Sequence, residues 1–254
     1  MTYTVRQAVR TNSRPFKPCE DRIALSSDTF VVADGVTQNA DEYHEGLTVS
    51  PAGEAAQITA ESILSVLKDA DDPTAAAPEA VKLAIERTGT YNETKPSAFP
   101  AAAVYVSGAI RGDRLHFSYV GDSLIMLIRH GARIRLSEQQ TAHLRVYGST
   151  KGLGITKREL YDTITDNPDS PVGYGVIFGD ERALSFLRAA SIVLEPGDRV
   201  IFSSDGIDHY LYFAPIEELA TLSPDELLDR STRFDVPPYS RYADDKAVIV
   251  VDVK

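Results

Sequence analysis

Apolar residues in this chain come mostly as short unbroken runs. Phe30-Val31-Val32-Ala33 is one, and it runs straight into Asp34-Gly35. Four consecutive apolar residues indicate a buried strand, and the glycine lets the chain turn while the carboxylate stays at the strand's end. The arrangement returns at Val200-Ile201-Phe202, which leads into Ser203-Ser204-Asp205-Gly206. Before the first run, residues 2 to 34 read as strands interrupted at Arg14-Pro15-Phe16-Lys17-Pro18-Cys19-Glu20-Asp21, where two prolines forbid regular ladder pairing. Arg22-Ile23-Ala24-Leu25 and the Phe30 strand, joined through Ser26-Ser27-Asp28, predict an antiparallel hairpin that sets Glu20 and Asp21 beside Asp34.

Helical periodicity follows a polar loop from Thr37 to Ser50. Ser50 is the expected N-cap and Pro51 the first-turn residue of a helix whose apolar stripe holds Ala52, Ala55, Ala56, Ala60, Ile63 and Leu64. A second helix is predicted from about Ala75 to Arg87, ending before Gly89. Residues 101 to 136 then form a block of strands separated by Arg111-Gly112-Asp113, Gly121-Asp122-Ser123 and His130-Gly131. Connections so short predict antiparallel neighbours.

Residues 137 to 190 are polar and rich in Gly and Pro, a stretch suited to a flap, with a helix expected from Asp180 to Arg188. Ile192-Val193-Leu194 and Val200 to Phe202 predict another hairpin across Glu195-Pro196-Gly197-Asp198. Ser223-Pro224-Asp225-Glu226 carries a capping-box pattern for a helix to about Arg233. Asp244-Asp245 precedes a last apolar strand, Lys246 to Val251. Blocks of antiparallel strands with helices between them indicate an α+β fold with packed sheets.

Composition narrows the function classes. The 254 residues contain no linker, internal repeat or low-complexity tract, so a single domain over 1–254 is expected. A net charge of −11 argues against affinity for nucleic acid or an anionic membrane, both of which need basic surface. Apolar runs are strand-sized, no signal segment opens the sequence, and Cys19 is the only cysteine, so a cytoplasmic location is the expectation. One cysteine also excludes an intramolecular disulfide and a cysteine zinc site.

What remains is acid. Glu20-Asp21, Asp34-Gly35, Gly121-Asp122-Ser123, Ser204-Asp205-Gly206 and Asp244-Asp245 each stand at the edge of an apolar strand. Carboxylates meeting at one rim repel unless a cation or proton compensates them, which makes a hard-metal site the first hypothesis. Any single Asp-Gly could instead simply make a turn. The five segments in this order resemble the metal-dependent serine/threonine phosphatases of the type 2C (PPM) family. In that family an Asn-Glu-Asp segment, a Val-Ala-Asp-Gly strand, a Gly-Asp-Ser turn, a Ser-Asp-Gly strand and a closing Asp-Asn or Asp-Asp follow one another. Leu194-Glu195-Pro196-Gly197-Asp198 and Gly53-Glu54-Ala55 also look like the family's pattern, and the resemblance covers nearly the whole chain.

The resemblance implies a sandwich of two antiparallel sheets flanked by helices, with a centre of two Mn2+ or Mg2+ ions at one end. Asp34, Asp205 and Asp244 would hold one ion; Glu20, Asp34 and the carbonyl of Gly35 would hold the other. Asp122, with Asp205, resembles the positions that hold a third, weaker ion in many bacterial members. Two such ions roughly 3.5 to 4 Å apart would activate a water and shield the phosphate during in-line attack, with no protein nucleophile. Implied partners are a phosphoprotein substrate and the serine/threonine kinase that opposes the enzyme.

The sequence departs from the family at several points. Arg14 and Lys17 are the basic residues nearest the family's phosphate-binding arginine, but at other spacings. Cys19 replaces Asn, Pro100-Ala101-Ala102 replaces Gly-Thr-Thr, and Val36-Thr37-Gln38 stands where many members have His-Gly-Gly or Met-Gly-Gly. His44 is expected as an exposed loop residue. The leading function is hydrolysis of phosphoserine and phosphothreonine in proteins; the alternative is a phosphatase-like module that binds a phosphoprotein without turnover. A glycosidase would need two carboxyl groups in unlike environments and no metal.

Overall fold

In the computed structural model the chain folds into two five-stranded antiparallel sheets packed face to face. Residues 1–11, 17–37, 43–95, 99–142, 159, 162–234 and 244–254 are described. The strands are β1 (Tyr3–Arg10), β2 (Arg22–Leu25), β3 (Thr29–Gly35), β4 (Ala103–Arg111), β5 (Arg114–Val120), β6 (Leu124–Arg129), β7 (Ala132–Arg135), β8 (Arg188–Val193), β9 (Arg199–Ser203) and β10 (Lys246–Val253). One sheet has the order β1-β10-β9-β6-β7 and the other β2-β3-β4-β5-β8.

Burial on both faces explains why the strands read as unbroken apolar runs. Phe30 and Val32 of β3, Val106 of β4, Phe202 of β9 and Ile249 of β10 fill the space between the sheets. Val31 and Ala33 face α1 (Pro51–Leu67) and α2 (Pro73–Thr94) on one outer side. On the other, Ile201, Val248 and Val250 pack against α3 (Asp208–Phe213), α4 (Ile216–Thr221) and α5 (Pro224–Ser231). A strand sandwiched this way has no wet face on which to alternate.

Local chemistry sets the element ends. Ser50 Oγ accepts the Gly53 amide, 3.1 Å, and Pro occupies the first turn of α1, as its sequence predicts. Ser223 and Glu226 form the reciprocal capping box of α5. The β2–β3 hairpin forms with Leu25 opposite Phe30 and Arg22 opposite Ala33.

Four expectations are corrected. Helix α2 does not stop before Gly89 but continues to Thr94, because Gly89 lies against the Cα of Gly179, where a side chain would have little room. Gly121-Asp122-Ser123 is not a hairpin turn: β5 and β6 belong to different sheets, and Gly121, at φ +98°, carries the chain across the sandwich. Glu195 to Asp198 likewise crosses between sheets rather than closing a hairpin. Arg129 clamps that crossing with bonds to Asp198 (2.6 and 2.8 Å) and to the Val193 carbonyl (2.8 Å). The helix expected from Asp180 is a 3-10 turn, Glu181–Phe186, and Arg188 already begins β8.

Candidate active site at the sheet rim

Strand register brings the acidic segments to one end. In the first sheet Ser203 lies opposite both Leu124 and Val248, so the residues just before β6, just after β9 and just before β10 share a rim. In the second sheet Ala33 lies opposite Arg22 and Tyr105, and Tyr105 opposite Val120. Glu20-Asp21, Asp34-Gly35 and Gly121-Asp122 therefore arrive at that rim too. Antiparallel pairing does this without long loops, since each acid needs only to sit at the end of its strand.

A cavity of about 270 Å3 opens at this rim, lined by Asp34, Gly35, Asp122, Asp205 and Asp244 together with an apolar wall that includes Val36, Val104 and Val176. Thr141 Oγ1 donates to Asp122 Oδ2 at 2.7 Å. Burial, followed by the charges of Asp21, Asp205, Asp244 and Asp122, pushes the Asp34 carboxyl well above the usual carboxylate range. Such a set calls for positive charge.

The oxygen-only donor set fits a hard divalent cation. Among the described residues no group of three or more acidic, histidine or cysteine side chains is drawn together closely enough to hold a metal ion as it stands. An open cavity between separated carboxylates suits an ion that keeps several of its waters.

Glu20 is placed differently. Its Oε1 accepts from Tyr43 Oη (3.0 Å) and Ser50 Oγ, and its Oε2 from Thr37 Oγ1 and from Lys17 Nζ at 3.2 Å. Lys17, expected to bind phosphate oxygens, is buried instead, its side chain only 1% exposed. Its ammonium also reaches Asp244 Oδ1 at 2.7 Å and Asp245 Oδ2 at 3.0 Å. Arg14 lies outside the described residues. His44 is exposed, its Nδ1 3.0 Å from the carbonyl of Glu45.

Adjacent Asp244 and Asp245 separate in the way an extended backbone requires. Asp244 has a side chain 40% exposed and lines the cavity, whereas Asp245, at 2%, turns inward and accepts the Glu20 amide at 2.9 Å. Beyond Asp245, whose supporting place the sequence did suggest, two further supports were not visible in the sequence. Ser204 Oγ donates to Asp21 Oδ2 at 2.5 Å, and burial, opposed by that bond and reinforced by Asp245, pushes Asp21 up to about 8. The Arg22 guanidinium holds the carbonyls of Cys19 and Asp21 at 2.6 and 2.8 Å, fixing the segment that carries Glu20. Burial, then the charges of Asp245 and Asp21, push the Cys19 thiol up to about 11, so it stays neutral and does not serve as a thiolate nucleophile.

No protein-family model and no curated protein matches the chain in sequence. Solved structures do match over its full length. The Mycobacterium tuberculosis serine/threonine phosphatase PstP/Ppp superposes with a TM-score of 0.72 at 18% identity, covering 100% of both chains. The catalytic domain of PstP, solved in complex with two manganese ions, gives 0.69 at 20% identity, again over 100% of both. The PPM Ser-Thr phosphatase MsPP from Mycobacterium smegmatis, solved with cacodylate, gives 0.65 at 17%, covering 99% of this chain and 98% of its own. With its two five-stranded sheets, flanking helices and end-to-end correspondence to these structures, the chain has the fold of the PPM-type serine/threonine phosphatases.

Proposed function

We propose that the chain hydrolyses phosphoserine and phosphothreonine esters in proteins, with Mn2+ or Mg2+ bound at the rim cavity. One observation carries the reading: Asp34, Asp122, Asp205 and Asp244, from separate strand ends, line a single cavity of about 270 Å3. Asp34, Asp205 and Asp244 would hold the catalytic ion, and Asp122, oriented by Thr141, would steady a weaker one beside Asp205. A bound divalent ion supplies charge shielding for the phosphate and a lower pKa for a water at neutral pH.

The chain's own residues set the rest. Val36, Val104 and Val176 wall the acids from one side, while exposure of Asp244 leaves the cavity reachable by a side chain projecting from a large partner. In this reading the partners are phosphoproteins and their kinase, and the setting is cytoplasmic. The full chain with millimolar Mn2+ is expected to release phosphate from a chromogenic ester and from phosphopeptides, and to lose that activity reversibly to a chelator. No release from either substrate overturns the proposal, and release that a chelator does not touch overturns its metal dependence.

A second reading, phosphoprotein binding without turnover, is favoured by the ammonium of Lys17 lodged against Glu20. Tight phosphopeptide binding with no phosphate released in the same assay would select it.

A further inference from the structure

The two halves of the acidic rim are filled differently. On one side Asp34, Asp122 and Asp205 line the cavity. On the Glu20 side one ammonium already sits among three carboxylates, that of Glu20 three residues along the chain and those of adjacent Asp244 and Asp245 far away in sequence, with Nζ to oxygen distances of 3.2 Å to Glu20, 2.7 Å to Asp244 and 3.0 Å to Asp245. The Glu20 carboxylate also takes hydroxyl donors from Thr37, Tyr43 and Ser50. A carboxylate offers about four acceptor sites, and four donors use them. Glu20 thus has little left to give an ion unless this network is dismantled. Lys17, in turn, is buried, so its charge is not free to swing into solvent.

We propose that Lys17 is a tethered replacement for one of the two divalent ions the fold's relatives imply: the chain binds metal on the Asp34–Asp205 side and uses its own ammonium on the Glu20 side. The inference rests on the metal-dependent reading above and deepens it. Asp244 joins the halves, since its Oδ1 is on Lys17 while its side chain lines the cavity. An ammonium balances charge and holds Glu20, Asp244 and Asp245 together, but it offers no vacant coordination position and polarises no water. Any water activation then falls to metal bound at the cavity alone.

Metal counting tests this. The full chain, freed of metal and titrated with Mn2+ under calorimetry, is expected to show no Mn2+ at Glu20; anomalous scattering from Mn2+-soaked crystals should place metal beside Asp34 and Asp205 only. At saturation its electron paramagnetic resonance should lack the exchange coupling of a close pair sharing Asp34. Lys17→Met, which keeps the stem but not the charge, is expected to gain one Mn2+ at Glu20 and that coupling, with folding checked by circular dichroism. Should the variant not fold, the wild-type anomalous map decides by itself. A wild-type map with Mn2+ bound by Glu20 overturns the replacement while leaving the phosphatase reading intact. A folded Lys17→Met that gains no ion also overturns it. Absence of any Mn2+ binding in either protein removes the metal-dependent reading and this inference with it.

Discussion

Burial and four neighbouring carboxylates raise the Asp34 pKa, so without metal this side chain weakens the fold that holds it. For a group whose folded pKa is raised, the stabilising contribution is fully present below the unfolded value and is lost as pH rises toward the folded one. Asp34→Asn is therefore expected to raise the melting temperature of chelator-treated protein, more at about pH 8 than at about pH 5. Turnover should fall by several orders of magnitude in Asp34→Asn and in Asp205→Asn, and near-normal turnover in either contradicts the metal reading. Asp244 and Asp245 should differ. Asp244→Ala removes a cavity carboxylate and is expected to abolish activity, whereas Asp245→Asn keeps an acceptor for the Glu20 amide and should cost about 10- to 100-fold. A reversed order in kcat/KM would move the assignment to Asp245. Asp166 lies behind the cavity wall, fully buried at φ +50°, with Oδ1 on the Val176 amide and no hydrogen-bond partner on Oδ2. Burial, and after it Asp180, raise its pKa to about 8, so the same sign applies and its contribution is lost between its ordinary value and about 8. Asp166→Asn tolerates the left-handed backbone and should flatten the pH dependence of urea denaturation, adding about 1–3 kcal/mol at the alkaline end. An unchanged slope would show that the carboxylate finds a partner.

At the scale of elements, the sandwich closes tightly where β4 passes Phe30 and Phe202. Those rings meet edge to face at 4.9 Å, and a Cβ on Gly108 would lie 2.3 Å from one and 2.6 Å from the other. Gly108→Ala is expected to destabilise the protein by about 1–3 kcal/mol through overpacking, read as a lower urea midpoint; an unchanged midpoint would mean the sheets can part at no cost. Element identity was legible in the sequence wherever local chemistry decides it: the Ser50 cap, the Ser223 capping box, the Asp-Gly strand ends. The partition of strands between sheets was not. With helices outside each sheet and a core between them, the central strands β3, β4, β9 and β10 show little of the alternation that would assign a face, and Gly121-Asp122-Ser123 is as short as a true hairpin turn. The acids of the rim were legible because each ends an apolar run, but the burial of Lys17 was not, since its partners Asp244 and Asp245 stand more than two hundred positions away. No spacing rule reaches that far. The same holds for Ser204 and Asp21, which meet only once β9 and the Glu20 segment share a rim.

Across the whole molecule the site is a late product of topology. Its acids come from Glu20 near one end of the sequence to Asp245 near the other, and Asp244 and Asp245 reach the rim only because β10 pairs with β1 on one side and β9 on the other. Contacts so distant in sequence make for slow folding, because loop closure is opposed by entropy before any contact rewards it. A fragment ending at residue 243 lacks β10, the strand between β1 and β9, and should give neither a cooperative melt nor phosphate release; a folded, active fragment would show that β1 and β9 can close without it. On the ribosome, then, β1 and β9 emerge with no neighbour between them, and the Glu20 segment waits without Asp244 and Asp245 until Lys246–Val253 has been made. A growing chain therefore holds the acids of the rim apart, and the ion-pair cluster around Lys17 closes only when β10 has threaded between β1 and β9.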